Sequence, residues 1–151
     1  MTYDLLCSQL EELLREEPWY AAALSNASAL LMDSLPDLNW AGFYLMRDGQ
    51  LVVGPFQGKP ACIHIAVGKG VCGTAVQRNE TVLVENVHDF PGHIACDSAS
   101  NSEIVVPIHD SNNGSVIAVL DIDSPSLNRF TSGDKEGLER CVRILEKYIV
   151  W

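Results

Sequence analysis

The sequence contains no Cys-x-x-Cys pair, no cluster of Lys or Arg, no apolar run of membrane-spanning length and no internal repeat. Without Cys-x-x-Cys or His-x-x-x-His spacing, a zinc site loses its usual signature. Only 10 basic residues stand against 20 acidic ones, for a formal charge of −10. Such a surface repels phosphate backbones, so nucleic acid is not an expected partner. The shortness of the apolar runs argues against a spanning helix, and no membrane association is expected. The stretch Gly68-Lys69-Gly70-Val71-Cys72-Gly73 lacks the Gly-Lys-Ser/Thr ending of a P-loop. Ser/His/Asp hydrolase motifs are missing as well.

The beginning of the chain does not read as a signal peptide. Leu5, Leu6, Leu10, Leu13 and Leu14 recur at helical spacing and are broken by Glu11 and Glu12. Five cysteines, an odd number, without an export signal point to a reducing compartment, so a cytoplasmic location is expected. Thiols there are inert, metal-bound or catalytic.

What is present suffices for one packed core. The 151 residues, 47% hydrophobic, predict a single domain over 1–151. The leucine pattern gives a helix over 3–16. Pro18 suits the first turn of a second helix running to about Leu35, which Pro36 ends. Strands are predicted from Trp40 to Met46 and from Leu51 to Phe56, around an Asp48-Gly49 hairpin turn. Cys62 to Ala66 is a third strand, Val71 to Arg78 a short helix and Thr81 to Val84 a short strand. Residues 85–102 read as one long loop. Glu103 to His109 and Ser115 to Asp121 form a second hairpin around Asn112-Asn113-Gly114. Thr131 and Asp134 make a capping box for a last helix to about Tyr148. The sum is an α+β sandwich: a central antiparallel sheet of about six strands, with helices from both chain ends packed on it.

Asp121 and Asp123 alternate along a strand, so both carboxylates leave one face while Leu120 and Ile122 leave the other. Such a pair is either a solvated strand end or the lining of a pocket, and Glu103 on the neighbouring strand would complete a pocket. Three carboxylates at one site bind an ammonium group. Without a cation they repel one another, and one of them holds a proton near neutral pH, ready to act as a general acid. Trp40 and Tyr44, four apart on a strand, share a face and are either core residues or a pocket wall for an apolar or sulfur-bearing group.

Cys96 opens the polar segment Cys96-Asp97-Ser98-Ala99-Ser100-Asn101-Ser102-Glu103, which leaves its sulfur reachable. His93, three residues earlier, is a candidate base, while Asp97 opposes thiolate formation. Cys72 sits at a helix start, where backbone N–H groups stabilise a thiolate. Cys62 falls on a predicted strand. Cys7 and Cys141 lie on apolar helix faces and are expected to be inert. Cys62, His64, Cys72 and Cys96 together carry zinc-type donors, but no metal is expected.

Several segments resemble one known family. They are Asn39-Trp40-Ala41-Gly42-Phe43-Tyr44, Gly54-Pro55-Phe56-Gln57-Gly58, Gly70-Val71-Cys72-Gly73-Thr74-Ala75, His93-Ile94-Ala95-Cys96-Asp97, Ser100 to Pro107 and Val119 to Pro125. This is the pattern of the free methionine-(R)-sulfoxide reductases, and it spans nearly the whole chain. The resemblance implies a stand-alone GAF domain and an oxidoreductase that reduces free L-methionine-(R)-S-oxide. It places the nucleophile at Cys96, which attacks the substrate sulfur and is left as a sulfenic acid. A second thiol then closes a disulfide: Cys62 is the first choice and Cys72 the alternative. Glu103 and Asp123 are the proton-donor candidates. Trp40 and Tyr44 would hold the methyl end, and Glu103, Asp121 and Asp123 the ammonium. No bound cofactor is implied, thioredoxin is the implied reductant, and a homodimer through the terminal helices is expected.

Overall fold

The computed structural model describes residues 2–94 and 96–151. The leucine stripe forms α1 (Tyr3–Glu16), burying Leu6, Leu10 and Leu14, with the Thr2 hydroxyl accepting from the Leu5 N–H at its start. The second helix, α2 (Tyr20–Ser34), begins later than the proline signal suggests. Pro18 lies ahead of it and uses its carbonyl to accept from Val150 N–H at 2.9 Å, while Tyr20 N–H donates to the Val150 carbonyl. Lacking an N–H, Pro18 is suited to that one-sided bridge.

The strands are β1 (Trp40–Arg47), β2 (Gln50–Gly58), β3 (His64–Ala66), β4 (Val82–Val84), β5 (Ser102–His109) and β6 (Val116–Ser124). Helix α3 (Gly70–Arg78) separates β3 from β4, and α4 (Ser132–Tyr148) ends the chain. Among the described residues the strands make one antiparallel sheet in the order β3-β2-β1-β6-β5-β4. The Thr131/Asp134 capping box opens α4. Residues 85–102 are less irregular than the sequence predicts, because Asn86 caps a 3-10 turn at Val87–Asp89 and Ser102 already belongs to β5.

Strand alternation divides the interior in two. Phe43, Ile104, Ile108, Leu120 and Ile122 point to one face and pack under α1, α2 and α4. Trp40, Tyr44, Val105 and Val119 point to the other and meet α3. On the first face α2 lies over β1 and β2, α4 lies over β5, and α1 packs against both helices. The short α3 covers only part of the second, and the remainder is a cleft. No described helix is long and apolar enough to cross a membrane.

Candidate active site

The cleft is lined by carboxylates that the register brings together. Asp123 pairs with Glu103 on β5 and with Trp40 on β1, and Asp121 pairs with Gly42 and Val105. All three acids therefore share the α3 face, with Leu120 and Ile122 on the opposite one. Strand β6 runs past Asp121 to Ser124, so the aspartates lie inside the sheet and not on a frayed end. Gly42 is required here, since a Cβ would fall on Phe56, whose ring stacks on Trp40 at 5.0 Å. Trp40 and Tyr44 stack at 5.9 Å and are each 2% exposed. They are core residues and cleft wall at once, so the two sequence alternatives describe the same side chains.

A disulfide joins Cys62 to Cys96 at this cleft, with their Cα atoms 5.5 Å apart. The cleft encloses about 550 Å³, counting its open mouth. Cys62 is not on a strand as predicted. Its carbonyl accepts from the Tyr44 hydroxyl at 2.9 Å, and β3 begins two residues later at His64. Trp40 likewise donates its indole N–H to the Lys59 carbonyl at 3.1 Å. The wall residues thus also hold the segment that carries Cys62.

The Cys96 side is held by Asn39, whose amide donates to Asp97 Oδ2 at 3.0 Å and to Ser100 Oγ at 2.9 Å. Asp97 Oδ1 accepts from Ala99 N–H at 2.9 Å. Asn101 N–H donates to the Ser124 carbonyl at 2.8 Å, fixing the end of the loop to β6. A chain segment too polar for the core is therefore ordered by side-chain caps.

The electrostatics follow from burial. Glu103 is pushed well above the ordinary carboxylate range by burial first, then by the charges of Asp121 and Asp123. Asp123 rises for the same two reasons, burial and Asp121. Burial also raises Asp121, but hydrogen bonds from Glu103 and Cys72 hold it back. Glu103 and Asp123 both favour holding a proton, and Asp121 is the carboxylate that accepts from Glu103. Asp121 Oδ1 and Asp123 Oδ1 are shut from solvent without a hydrogen-bond partner. Two such oxygens call for a cationic donor.

Cys72 corrects an expectation. It is buried on α3, and its Sγ lies within 4.8 Å of carboxylate oxygens of Glu103 and Asp121. Burial, followed by the Asp121 charge, drives its pKa well up, against the thiolate that a helix start suggested. This trio could hold a cation, yet a metal would need the thiolate that the surroundings disfavour. The zinc-type set from the sequence does not assemble: His64 is exposed beside Gln50, and Cys62 and Cys96 are bonded to each other.

His93 lines the cleft, edge-on to His88 at 6.4 Å. Burial and His88 hold it below the usual histidine value. Cys7 and Cys141 face each other at 3.5 Å between α1 and α4, buried on the far side of the sheet. Sequence reasoning missed Asn39 as the loop clamp and Ile94 as a lining residue. The only signal for Asn39 is an amide placed directly before a strand that needs its own end fixed.

The GAF domain family model matches residues 9–149. A free methionine-R-sulfoxide reductase of Escherichia coli is 56% identical over 147 residues, covering 97% of this chain and 88% of that relative. The structure of fRMsr of Staphylococcus aureus in complex with substrate superposes with a TM-score of 0.92 at 53% identity, covering 98% of this chain and 95% of that one. Free methionine-R-sulfoxide reductase from Neisseria meningitidis in complex with its substrate gives a TM-score of 0.92 at 41% identity, over 97% and 87% of the two chains. The chain belongs to the GAF domain family and, within it, to the free methionine-R-sulfoxide reductases.

Proposed function

We propose that this enzyme reduces free methionine sulfoxide in the cleft between α3 and the sheet, with Cys96 as nucleophile, Cys62 as resolving thiol and thioredoxin as reductant. One observation carries the reading: a Cys62–Cys96 bridge sits at the cleft whose lining carries three acids on one sheet face.

The substrate's ammonium meets Asp121 and Asp123, whose buried oxygens otherwise have no donor. Its methyl end lies against the Trp40 and Tyr44 rings. The Cys96 sulfur attacks the sulfoxide sulfur while Glu103, an acid that keeps its proton, delivers it to the oxygen. Asp123, paired with Glu103 across the strands, is the alternative proton donor. The protonated oxygen passes from the substrate sulfur to the Cys96 sulfur, methionine leaves, and Cys96 remains as a sulfenic acid. The Cys62 thiol attacks that sulfur and water departs, leaving the bridge. A dithiol of thioredoxin then returns both thiols and becomes a disulfide itself. Cys72 serves as a donor to Asp121 and is held protonated.

A peptide-bound methionine would place an uncharged nitrogen at the acids, leaving them unpaired, so the free amino acid is preferred. The reaction places the protein in a reducing, cytoplasmic setting. The single-domain organisation over 1–151 and pairing of two copies through the terminal helices belong to the same reading. The test is NADPH consumption with thioredoxin and its reductase. Free methionine sulfoxide should support turnover and the N-acetyl form should not. Cys96→Ser should abolish turnover while retaining methionine binding; turnover surviving in that variant would overturn the assignment.

A further inference from the structure

The Cys62–Cys96 bridge lies between two chain segments whose flanking side chains are apolar and open to solvent. Ile63, next to Cys62, is 59% exposed. Ile94, two residues before Cys96, is 39% exposed, as is Val67 on the turn into α3. Val67 lies in the turn that Lys69 N–H closes on the Ala66 carbonyl, just before Gly70, on which Ile94 packs. The bridge sets its Cα atoms 5.5 Å apart, and Ile94 packs so closely on Gly70 that a Cβ there would lie 3.3 Å from its side chain. Exposed apolar side chains scattered singly need no explanation, but two flanking a reactive bond, with a third on the turn that one of them packs beside, do. Lys59 and Lys69 also stand exposed on these segments, in a chain with 20 acidic and 10 basic residues.

We propose that these side chains form the docking surface for the protein that reduces the bridge, a dithiol reductase whose active thiols lie within an apolar surface flanked by acidic charge. The inference depends on the reductase reading given above. A sulfur-to-sulfur displacement requires the attacking thiolate to come within bonding distance of the bridge, so the partner's own surface must cover what surrounds it. The partner thiolate attacks one sulfur of the bridge and expels the other, which takes up a proton. The partner's second thiol then attacks the mixed disulfide, releasing the second enzyme thiol and leaving the partner as a disulfide. Two electrons pass from partner to enzyme, and no further reactant is needed. Burial of Ile63 and Val67 against an apolar surface holds the encounter long enough for exchange, and Lys59 and Lys69 orient it.

The experiment compares two reductants on Ile63→Ser and Val67→Ser. Neither residue lines the cleft. With thioredoxin, kcat/KM for the reductase partner should fall about tenfold in each variant, since loss of a central apolar anchor costs that much or more. With dithiothreitol, turnover should stay at the wild-type rate, as should methionine release in a single turnover of pre-reduced enzyme. Val67→Ser, on an exposed turn, gives the same readout if Ile63→Ser disturbs β3. The proposal is overturned if thioredoxin kcat/KM is unchanged in both variants, if both reductants fall equally in both, or if glutathione matches thioredoxin at equal thiol concentration. Failure of the reductase reading itself looks different: pre-reduced wild type would then form no methionine at all.

Discussion

The Tyr44 hydroxyl donates to the carbonyl of Cys62 at 2.9 Å, so a wall residue of the cleft fixes the backbone of a bridging cysteine. Burial, followed by the Asp121 charge, pushes the Tyr44 phenol far up, which keeps it a donor at any working pH. Tyr44→Phe keeps the ring against Trp40 and removes only this tie. A hydrogen bond of this kind is worth about 0.5–1.5 kcal/mol, which is roughly two- to tenfold in a rate. That loss should fall on bridge closure and spare methionine release. Dimedone labelling during turnover should trap more Cys96 sulfenic acid in Tyr44→Phe than in wild type. Equal trapping would show that the segment is positioned by other means.

The two candidate partners for Cys96 behave differently when removed. Cys62→Ser should release one equivalent of methionine per enzyme and then stop, because the sulfenic acid has no thiol beside it. Cys72→Ser should still form the bridge and cycle with thioredoxin, since the Cys72 thiol is buried and held protonated. Intact mass spectrometry after one turnover distinguishes a sulfenic acid from a disulfide. A bridge between Cys72 and Cys96 in the Cys62→Ser protein would make Cys72 a competent substitute and revise its role.

Much of this arrangement is legible in the sequence because it depends on alternation. Asp121 and Asp123 must share a face, and Asp-Gly and Asn-Asn-Gly turns fix which strands pair. The pairing of Glu103 with Asp123 is not read from the turn alone, because the register shifts between Ile108 and His109 and the strand runs past Asp121. What depends on a three-dimensional neighbour was not legible. Cys62 leaves the ladder because a distant tyrosine takes its carbonyl. Cys72 resists ionisation because two strands bring carboxylates to the helix start, a field that a local dipole rule does not include. The role of Asn39 spans 58 and 61 residues of chain and leaves no periodic mark.

The acid cluster should weaken the ligand-free fold. Asp123 has its pKa raised in the folded state by burial and by Asp121. A raised carboxylate pKa stabilises the fold below the unfolded value and loses that stabilisation as pH rises through the folded value. Above that folded value the wild type therefore carries the full penalty of burying the charge, and near pH 4 it carries little. Asp123→Asn should be more stable than wild type by about 1–3 kcal/mol once pH exceeds that folded value, seen as a Tm higher by roughly 3–10 °C. The gap should close toward pH 4. A gap independent of pH would mean that the carboxylate is not the source of strain. Activity should be lost in the same variant, because the proposed ammonium partner is gone.

Binding and chemistry should then respond to pH in opposite directions. An ammonium favours the ionised carboxylates, so methionine binding expels protons that Asp121 and Asp123 would otherwise share, and affinity should rise with pH below the substrate amine's own titration. On the proposed route the proton comes from Glu103, whose pKa is raised by burial and by both aspartates, so the rate of the sulfoxide step should fall once pH passes that value. Calorimetry of methionine binding in buffers of different ionisation enthalpy reads the proton release directly. Single-turnover methionine formation reads the chemical step. Glu103→Gln removes the proton donor while keeping the shape, so it should flatten the falling limb of the rate profile and lower its plateau by about 10²–10⁴-fold. If the plateau falls but the limb keeps its shape, the proton comes from Asp123, the next carboxyl along the strand pair, and the roles of the two acids exchange.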